Sequence, residues 1–297
     1  MSPERVGEFR IGGELPILRL GFGAMRLTGP GVWGPPTDLR AARTVLRRVV
    51  DLGINLIDTA DVYGPGDNEK LIRDTLAPYP ERLVIATKGG LVRSGPATAQ
   101  NPGVGTDNSE VHLRCAVEGS LRDLGVERID LYQLHRADPA VPIEETMGVL
   151  KRLRDEGKIR HIGLSEVGVD QIERARSEVQ IATVQNQYNL VERKHDDVVK
   201  YCTRAGIGFI PFYPLTIGEL AHSETLKSLA AREGVTPPLI ALAWLFQRSP
   251  VIVPIPGTSS LEHLEENAEA CGITLSSQDM ETLNRLSLAK SGKAGLS

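Results

Sequence analysis

Residues 129–165 read IDLYQLHRADPAVPIEETMGVLKRLRDEGKIRHIGLS, and the spacing of the apolar residues changes twice within them. The runs at 129–135 and 159–165 are short, largely apolar and bounded by turn residues, as expected of parallel strands covered on both faces. Between them, 143–156 carries apolar residues at helical spacing. This is a strand–helix–strand unit, and the same alternation extends in both directions. Further strand-like runs are RLGFG (19–23), NLIDT (55–59), LVIATK (83–88), IATVQNQ (181–187), IGFIPF (207–212) and VIVPIP (251–256). With the first two they make eight.

Amphipathic segments fill the intervals. Residues 39–52 place Ala42, Val45, Leu46, Val49 and Leu52 on one face. Segment 109–124 opens on Ser109, a suitable N-cap, with Val111, Cys115, Val117 and Leu121 on its apolar side. Segments 169–177, 196–205 and 262–270 read the same way. Eight strand–helix repeats predict an α/β fold, a (β/α)8 TIM barrel formed by one domain over 1–297. An open doubly wound sheet is the alternative, but no GxGxxG follows any strand. Residues 8–18 (EFRIGGELPIL) read as an N-terminal β-hairpin turning at Gly12-Gly13 and capping one end of the barrel. Residues 26–38 and 89–108 are rich in Gly and Pro and read as long loops, a length usually tied to function.

A chain of 297 residues suits a single barrel of about 250 residues plus decorations. With 34 basic against 38 acidic residues and a net charge of −4, there is no electrostatic case for a nucleic-acid partner or an anionic membrane surface. The polar start MSPERVGEFR has no apolar leader core, and no run reaches the roughly 18 apolar residues of a membrane span. Cys115, Cys202 and Cys271 are too far apart to form a metal-ligand pattern, so no metal is expected. They read as buried or half-buried thiols in a cytoplasmic protein. Oligomeric state is not readable from the chain.

Barrels of this type carry their chemistry at the carboxyl ends of the strands. Asp58, Lys88 and His135 end the second, third and fourth runs, and Tyr63 lies five residues beyond Asp58. A phenol, with a pKa of about 10, is a poor proton donor alone; a neighbouring ammonium tunes it, and a carboxylate holds that ammonium in place. An imidazole can hydrogen-bond a substrate carbonyl. Such a set can protonate a developing alkoxide but holds no reducing equivalent, so a hydride must come from a cofactor. Taken singly, each residue has a plain structural reading. Asp58 and Lys88 could be a buried bridge, Tyr63 a loop aromatic and His135 a surface histidine. Lys88 could also be the Schiff-base lysine of an aldolase-type barrel. Four such residues at successive strand ends favour the functional reading.

These residues sit in strings that resemble the aldo-keto reductase family. They are LGFGAM (20–25), INLIDTADVYG (54–64), VIATKGG (84–90), IDLYQLH (129–135), GKIRHIGLSE (157–166), VQNQYN (184–189), IPFYPL (210–215) and IPGTSSLEHLEEN (255–267). In order, they cover almost the whole chain. The resemblance implies a catalytic tetrad of Asp58, Tyr63, Lys88 and His135, with Tyr63 as general acid in reduction, and a nicotinamide cofactor bound without a Rossmann fold. That cofactor is expected to be NADPH, with NADH as the alternative. By the same resemblance Ser165 and Gln187 would hold the carboxamide, and Phe212 would stack on the nicotinamide ring. Tyr213 and Leu215 would line the pyrophosphate path, and Glu266 and Asn267 would face the adenine. Ala24, Met25, Gly257, Thr258, Ser259 and His263 complete the implied cofactor contacts.

Two departures stand out. Many relatives have Asn where this chain has Glu166, which cannot donate a hydrogen bond when ionised. Gly257 and His263 occupy positions where relatives often carry the Lys and Arg that bind the adenosine 2′-phosphate. Hydroxyls and a helix N-terminus can still bind phosphate there. Met25 and Trp33, with Tyr63 and His135 as polar anchors, are the candidate substrate wall. The strings at 20–36 and 241–260 look most like the bacterial pyridoxal reductase-like subgroup, which makes pyridoxal a candidate among small carbonyl substrates. A cofactor-binding regulatory subunit of the same fold is the non-enzymatic alternative.

Overall fold

The computed structural model describes residues 6–215 and 223–286. The hairpin forms as its sequence predicts: β1 (Glu8–Ile11) pairs antiparallel with β2 (Leu15–Leu18), turning at Gly12 and Gly13, both at positive φ. Seven strands then follow in one parallel sheet. They are β3 (Phe22–Gly23), β4 (Leu56–Asp58), β5 (Val84–Gly89), β8 (Ile129–Leu134), β9 (Ile159–Ser165), β10 (Ile181–Gln185) and β11 (Gly208–Phe209), neighbours in that order. Residues 251–256 supply the eighth position and close the ring. Phe209 N–H donates to the Val251 carbonyl (2.8 Å) and Val253 N–H to the Phe209 carbonyl (2.9 Å). On the other side, Gly21 N–H donates to the Pro254 carbonyl (2.9 Å). The eight-stranded barrel with its capping hairpin is therefore as expected.

Strand alternation sorts the side chains. Leu56, Val84, Ala86, Leu131, Ile210, Val253 and Ile255 point into the barrel and pack against Ile11 and Ile17 of the hairpin. The hairpin thus plugs the amino-terminal end. Gly208 is required for this: a Cβ there would lie 2.8 Å from the Phe9 ring. Outward residues such as Phe22, Ile57, Ile85 and Tyr132 pack instead beneath the helices.

Helix α1 (Leu39–Asp51) buries Ala42, Val45, Leu46 and Val49, with Asp38 accepting from Ala41 N–H (2.9 Å) as its cap. Helix α3 (Glu110–Leu124) is capped by Ser109, as its sequence suggests, but it turns a different face inward. Leu113, Val117, Ser120 and Leu124 are buried, whereas Val111 and Cys115 are exposed. The two faces are offset around the helix, and Leu113 and Leu124 decide between them by packing into the core beside β5. Residues 89–108 also depart from a plain loop. They hold β6 (Leu91–Arg93) and β7 (Val104–Thr106), an antiparallel pair at the carboxyl-terminal mouth.

Behind β5, helix α2 (Asp67–Leu76) buries Glu69, whose carboxylate accepts from the Thr87 hydroxyl (2.6 Å). Burial pushes the Glu69 carboxyl up to about 7, against the opposing Thr87 hydrogen bond. Nearby Asp61 is also raised, by burial and then by Glu69 itself. The folded chain keeps the Glu69 proton up to about pH 7, while the unfolded chain releases it near 4.5. Stability from this group is full below the unfolded value and is lost as pH rises through 7, at up to about 1.4 kcal/mol per pH unit. The thermal midpoint should therefore fall between about pH 5 and 7.5. Glu69→Gln, which keeps a polar group at Thr87, should flatten that slope; an identical slope in the variant would refute the assignment.

Candidate active site

The inward positions nearest the strand ends differ in kind from those below. Two residues past Leu56, Ala86 and Leu131 stand Asp58, Lys88 and Gln133, and Gln185 ends β10. These four form a buried polar layer on top of the apolar core. Lys88 Nζ donates to Asp58 Oδ2 (2.6 Å) and to the Thr59 carbonyl (2.8 Å). Asp58 Oδ1 accepts from Gln185 Nε2 (2.8 Å) and Gln133 Nε2 (3.2 Å). Both charged groups are shut off from solvent, with side chains 1% and 4% accessible, so each depends on these partners.

Above this layer, Lys88 Nζ lies 5.2 Å from the centre of the Tyr63 ring, and the Tyr63 and His135 rings meet edge to face at 6.0 Å. Burial raises the Tyr63 phenol above its ordinary value, and the Lys88 ammonium pulls it back only in part. Burial works against the Lys88 ammonium, but Asp58 and the other partners outweigh it and the lysine is raised. His135 is held well below the usual histidine range, by burial first and then by Lys88, Arg136 and Arg93. At neutral pH the trio is therefore a neutral phenol, an ammonium and a neutral imidazole.

Tyr63, His135 and Asp58 line a cleft of about 460 Å³ at the carboxyl-terminal mouth, while Lys88 lies behind them. Met25, Ser165, Phe212, Tyr213 and Leu215 are on its wall, and Gly257, Thr258, His263, Glu266 and Asn267 line its outer part. Asn267 is buried there. Besides Lys88, four sequence-predicted positions are not on this wall. Ala24 is buried, Trp33 is 41% exposed with neighbouring Val32 on the wall instead, and Gln187 and Ser259 stand off it. Gln187 N–H donates to Glu166 Oε1 (2.7 Å), which explains how a carboxylate is tolerated after Ser165.

The architecture also contributes residues that carry no mark in the sequence. Gln133 and Gln185 look like ordinary strand polars; their signal is the inward register shared with Asp58. Arg26, Arg93 and Arg136 also line the cleft. Arg136 Nη1 donates to the His135 carbonyl (2.8 Å) and the Ser165 hydroxyl (3.2 Å), and its guanidinium lies 5.8 Å from the Phe212 ring centre.

A dinucleotide fits this wall on structural grounds. Gly23 and Gly257 come so close that a Cβ on Gly257 would meet the Gly23 carbonyl at 2.5 Å, leaving a floor of bare backbone. Beyond it, Ser260 caps the helix Leu261–Glu269 by accepting from His263 N–H (3.3 Å), which leaves the first amides of that helix available to an anion. Arg26 passes beside Gly257, its Cγ 3.6 Å from the position of that Cβ. A cation is thus present on this wall although residue 257 carries none.

A parallel barrel with a buried carboxylate–ammonium pair beneath a phenol and an imidazole, at the edge of a cleft of about 460 Å³, has the make-up of a barrel oxidoreductase. The chain belongs to the aldo/keto reductase family, whose model matches residues 19–288. It is 46% identical to an oxidoreductase of Schizosaccharomyces pombe over 267 residues, 90% of this chain and 85% of that one. To pyridoxine 4-dehydrogenase of Escherichia coli it is 42% identical over 281 residues, 93% and 96% of the two chains. The expected likeness to bacterial pyridoxal-type reductases is therefore present. An aldo-keto reductase of Klebsiella pneumoniae, solved in complex with NADPH, superposes with a TM-score of 0.76 at 27% identity, covering 98% of each chain.

Proposed function

We propose that the protein reduces small aldehydes and ketones to alcohols with NADPH, Tyr63 being the proton donor, and that pyridoxal is among its substrates. The observation that carries this reading is the Asp58–Lys88 pair beneath the Tyr63 ring, with His135 beside it at the cleft. When bound, the nicotinamide supplies the hydride and leaves oxidised. The chain's own residues do the rest. His135, neutral and on the wall, offers an N–H to the carbonyl oxygen and fixes its direction. Tyr63 delivers its proton to that oxygen as charge develops there. Lys88 stabilises the phenolate left behind, and Asp58 keeps Lys88 charged and aimed. In oxidation the same phenolate is the base.

Ser165 and Phe212 are proposed to position the nicotinamide, with Met25, Tyr213 and Leu215 beside it. Gly257, Thr258, His263, Glu266 and Asn267 are proposed to line the rest of the cofactor site, with Arg26 as its cation. The 42% identity to pyridoxine 4-dehydrogenase supports pyridoxal. The NADPH complex of the Klebsiella relative supports NADPH over NADH. Three free thiols suit a reducing cytoplasm. A Schiff-base role for Lys88 is disfavoured, because a buried ammonium tied to Asp58 is no nucleophile.

A steady-state aldehyde panel that includes pyridoxal, run with each cofactor and followed by nicotinamide absorbance, tests the reading. Turnover with NADPH is expected. Cofactor binding with no turnover across the panel would favour a regulatory subunit instead.

A further inference from the structure

The charges on the cleft wall are unevenly distributed. Asp58 and Glu266 are its only carboxylates among the described residues, against Arg26, Arg93 and Arg136. Asp58 is neutralised by Lys88. Glu266 lies at the outer end, where its Oε1 accepts from the Thr236 hydroxyl (2.5 Å). Around the ring, Gly257 and Arg26 follow the eighth and first strands, whereas Arg93 and Arg136 follow the third and fourth. Arg93 therefore stands on the half of the mouth away from Gly257 and Arg26, while Arg136 lies next to His135, against Ser165 and Phe212. Among the described residues the side-chain hydrogen bonds of both go to neutral carbonyl and hydroxyl oxygens, not to a carboxylate.

Arg93 is held in place. On β6, its Nε donates to the Val62 carbonyl (3.2 Å), one residue before Tyr63, and its Nη1 to the Gly95 and Pro102 carbonyls (3.3 Å each). All three acceptors are neutral main-chain oxygens, so the guanidinium is oriented without being discharged. Its Nη2 makes no hydrogen bond to the described residues. The surrounding wall is apolar, with Val32, Val62, Leu91, Ala97 and Val104, so the charge acts with little competing solvation. A fixed, half-shielded guanidinium with a free edge is suited to a carboxylate or phosphate.

We propose that Arg93, with the field of Arg136 added, selects carbonyl substrates that carry an anionic group on the side of the ring or chain away from the cofactor. This rests on the reductase reading and names the substrate class within it. The chemistry is unchanged: hydride passes from NADPH to the carbonyl carbon, the Tyr63 proton passes to the oxygen, and NADP⁺ is released. Arg93 touches the substituent, not the reacting atoms, so it acts on affinity and orientation.

Matched probes test this. The anion 4-carboxybenzaldehyde and its neutral methyl ester differ little in size and share one aldehyde, and pyridoxal 5′-phosphate against pyridoxal gives a second, phosphate-bearing pair. We expect kcat/KM to favour an anion by about 10- to 100-fold, the range of a charge-assisted hydrogen bond. Most of that difference should lie in KM, and it should shrink with added salt. Arg93→Met should bring the acid-to-ester ratio close to one, and Arg93→Lys should restore part of it. Using a ratio within each variant cancels any general loss from loosening the hairpin. An acid-to-ester and phosphate-to-alcohol ratio of one or less in the wild type would overturn the proposal, as would a ratio unchanged in Arg93→Met. Turnover of the neutral probes alone would overturn it while leaving the reductase reading standing; no turnover of any aldehyde would overturn both.

Discussion

Tyr63→Phe should lower kcat for aldehyde reduction by about 10²- to 10⁴-fold, the range supplied by a positioned general acid. The substitution removes one oxygen and keeps the ring. The edge-to-face contact with His135 at 6.0 Å and the packing over Lys88 should survive, so the fold and the cleft should be preserved. Affinity for NADPH, read by fluorescence titration, should therefore stay close to that of the wild type. Losses in kcat and kcat/KM should be similar, because the proton is transferred in the transition state and not on binding. The direction of the phenol's shift adds a pH signature. Burial raises Tyr63, so in reduction the acid form persists throughout the neutral range. In oxidation the required phenolate grows with pH, so the alcohol-to-aldehyde rate should climb on the alkaline side. Wild-type turnover in Tyr63→Phe would refute the assignment, and so would an oxidation rate that falls as pH rises from about 7 to 9, below the phenol's ordinary range.

The chemistry is more legible in the sequence than the walls around it. Asp58, Lys88 and His135 can be found because strand periodicity locates strand ends, and a charged or imidazole side chain gains little there from packing alone. Tyr63 is legible only through them. Gln133 and Gln185 escape notice because a glutamine in a strand has no signature of its own. Their role follows from register, at inward positions above the apolar core, where both reach Asp58. The arginines escape for a different reason. Arg93 belongs to a segment whose Gly and Pro content reads as loop, and its orientation depends on three carbonyls brought together by a hairpin. Trp33 shows the opposite error. A large aromatic in a long loop invites placement in a pocket, yet Gly31 and Gly34, both at positive φ, turn the chain so that Val32 faces the cleft. In α3, apolar residues lie on more than one face, and tertiary packing chose Leu113 and Leu124 over Val111 and Cys115.

Lys88→Met tests the layer beneath the phenol and should affect stability as well as rate. Methionine nearly matches the stem of lysine in length, so the packing loss is small, but Asp58 is left as a buried carboxylate without its cation. Breaking a buried pair by removing one partner typically costs about 3–5 kcal/mol. Gln133 and Gln185 still donate to Oδ1, which places this site toward the lower end. The charged Asp58 is then buried without its counter-ion, so the variant should melt below the wild type. Reduction should also collapse, because Tyr63 loses the ammonium that offsets its burial. Lys88→Met combined with Asp58→Asn separates the two effects. With no charge left to bury, the double variant should recover most of the lost thermal stability, while its turnover stays at the level of the single variant. If stability and rate recovered together, the pair would be a structural bridge and the electrostatic account of Tyr63 would be wrong. If neither variant lost activity, Lys88 would have no part in tuning the phenol.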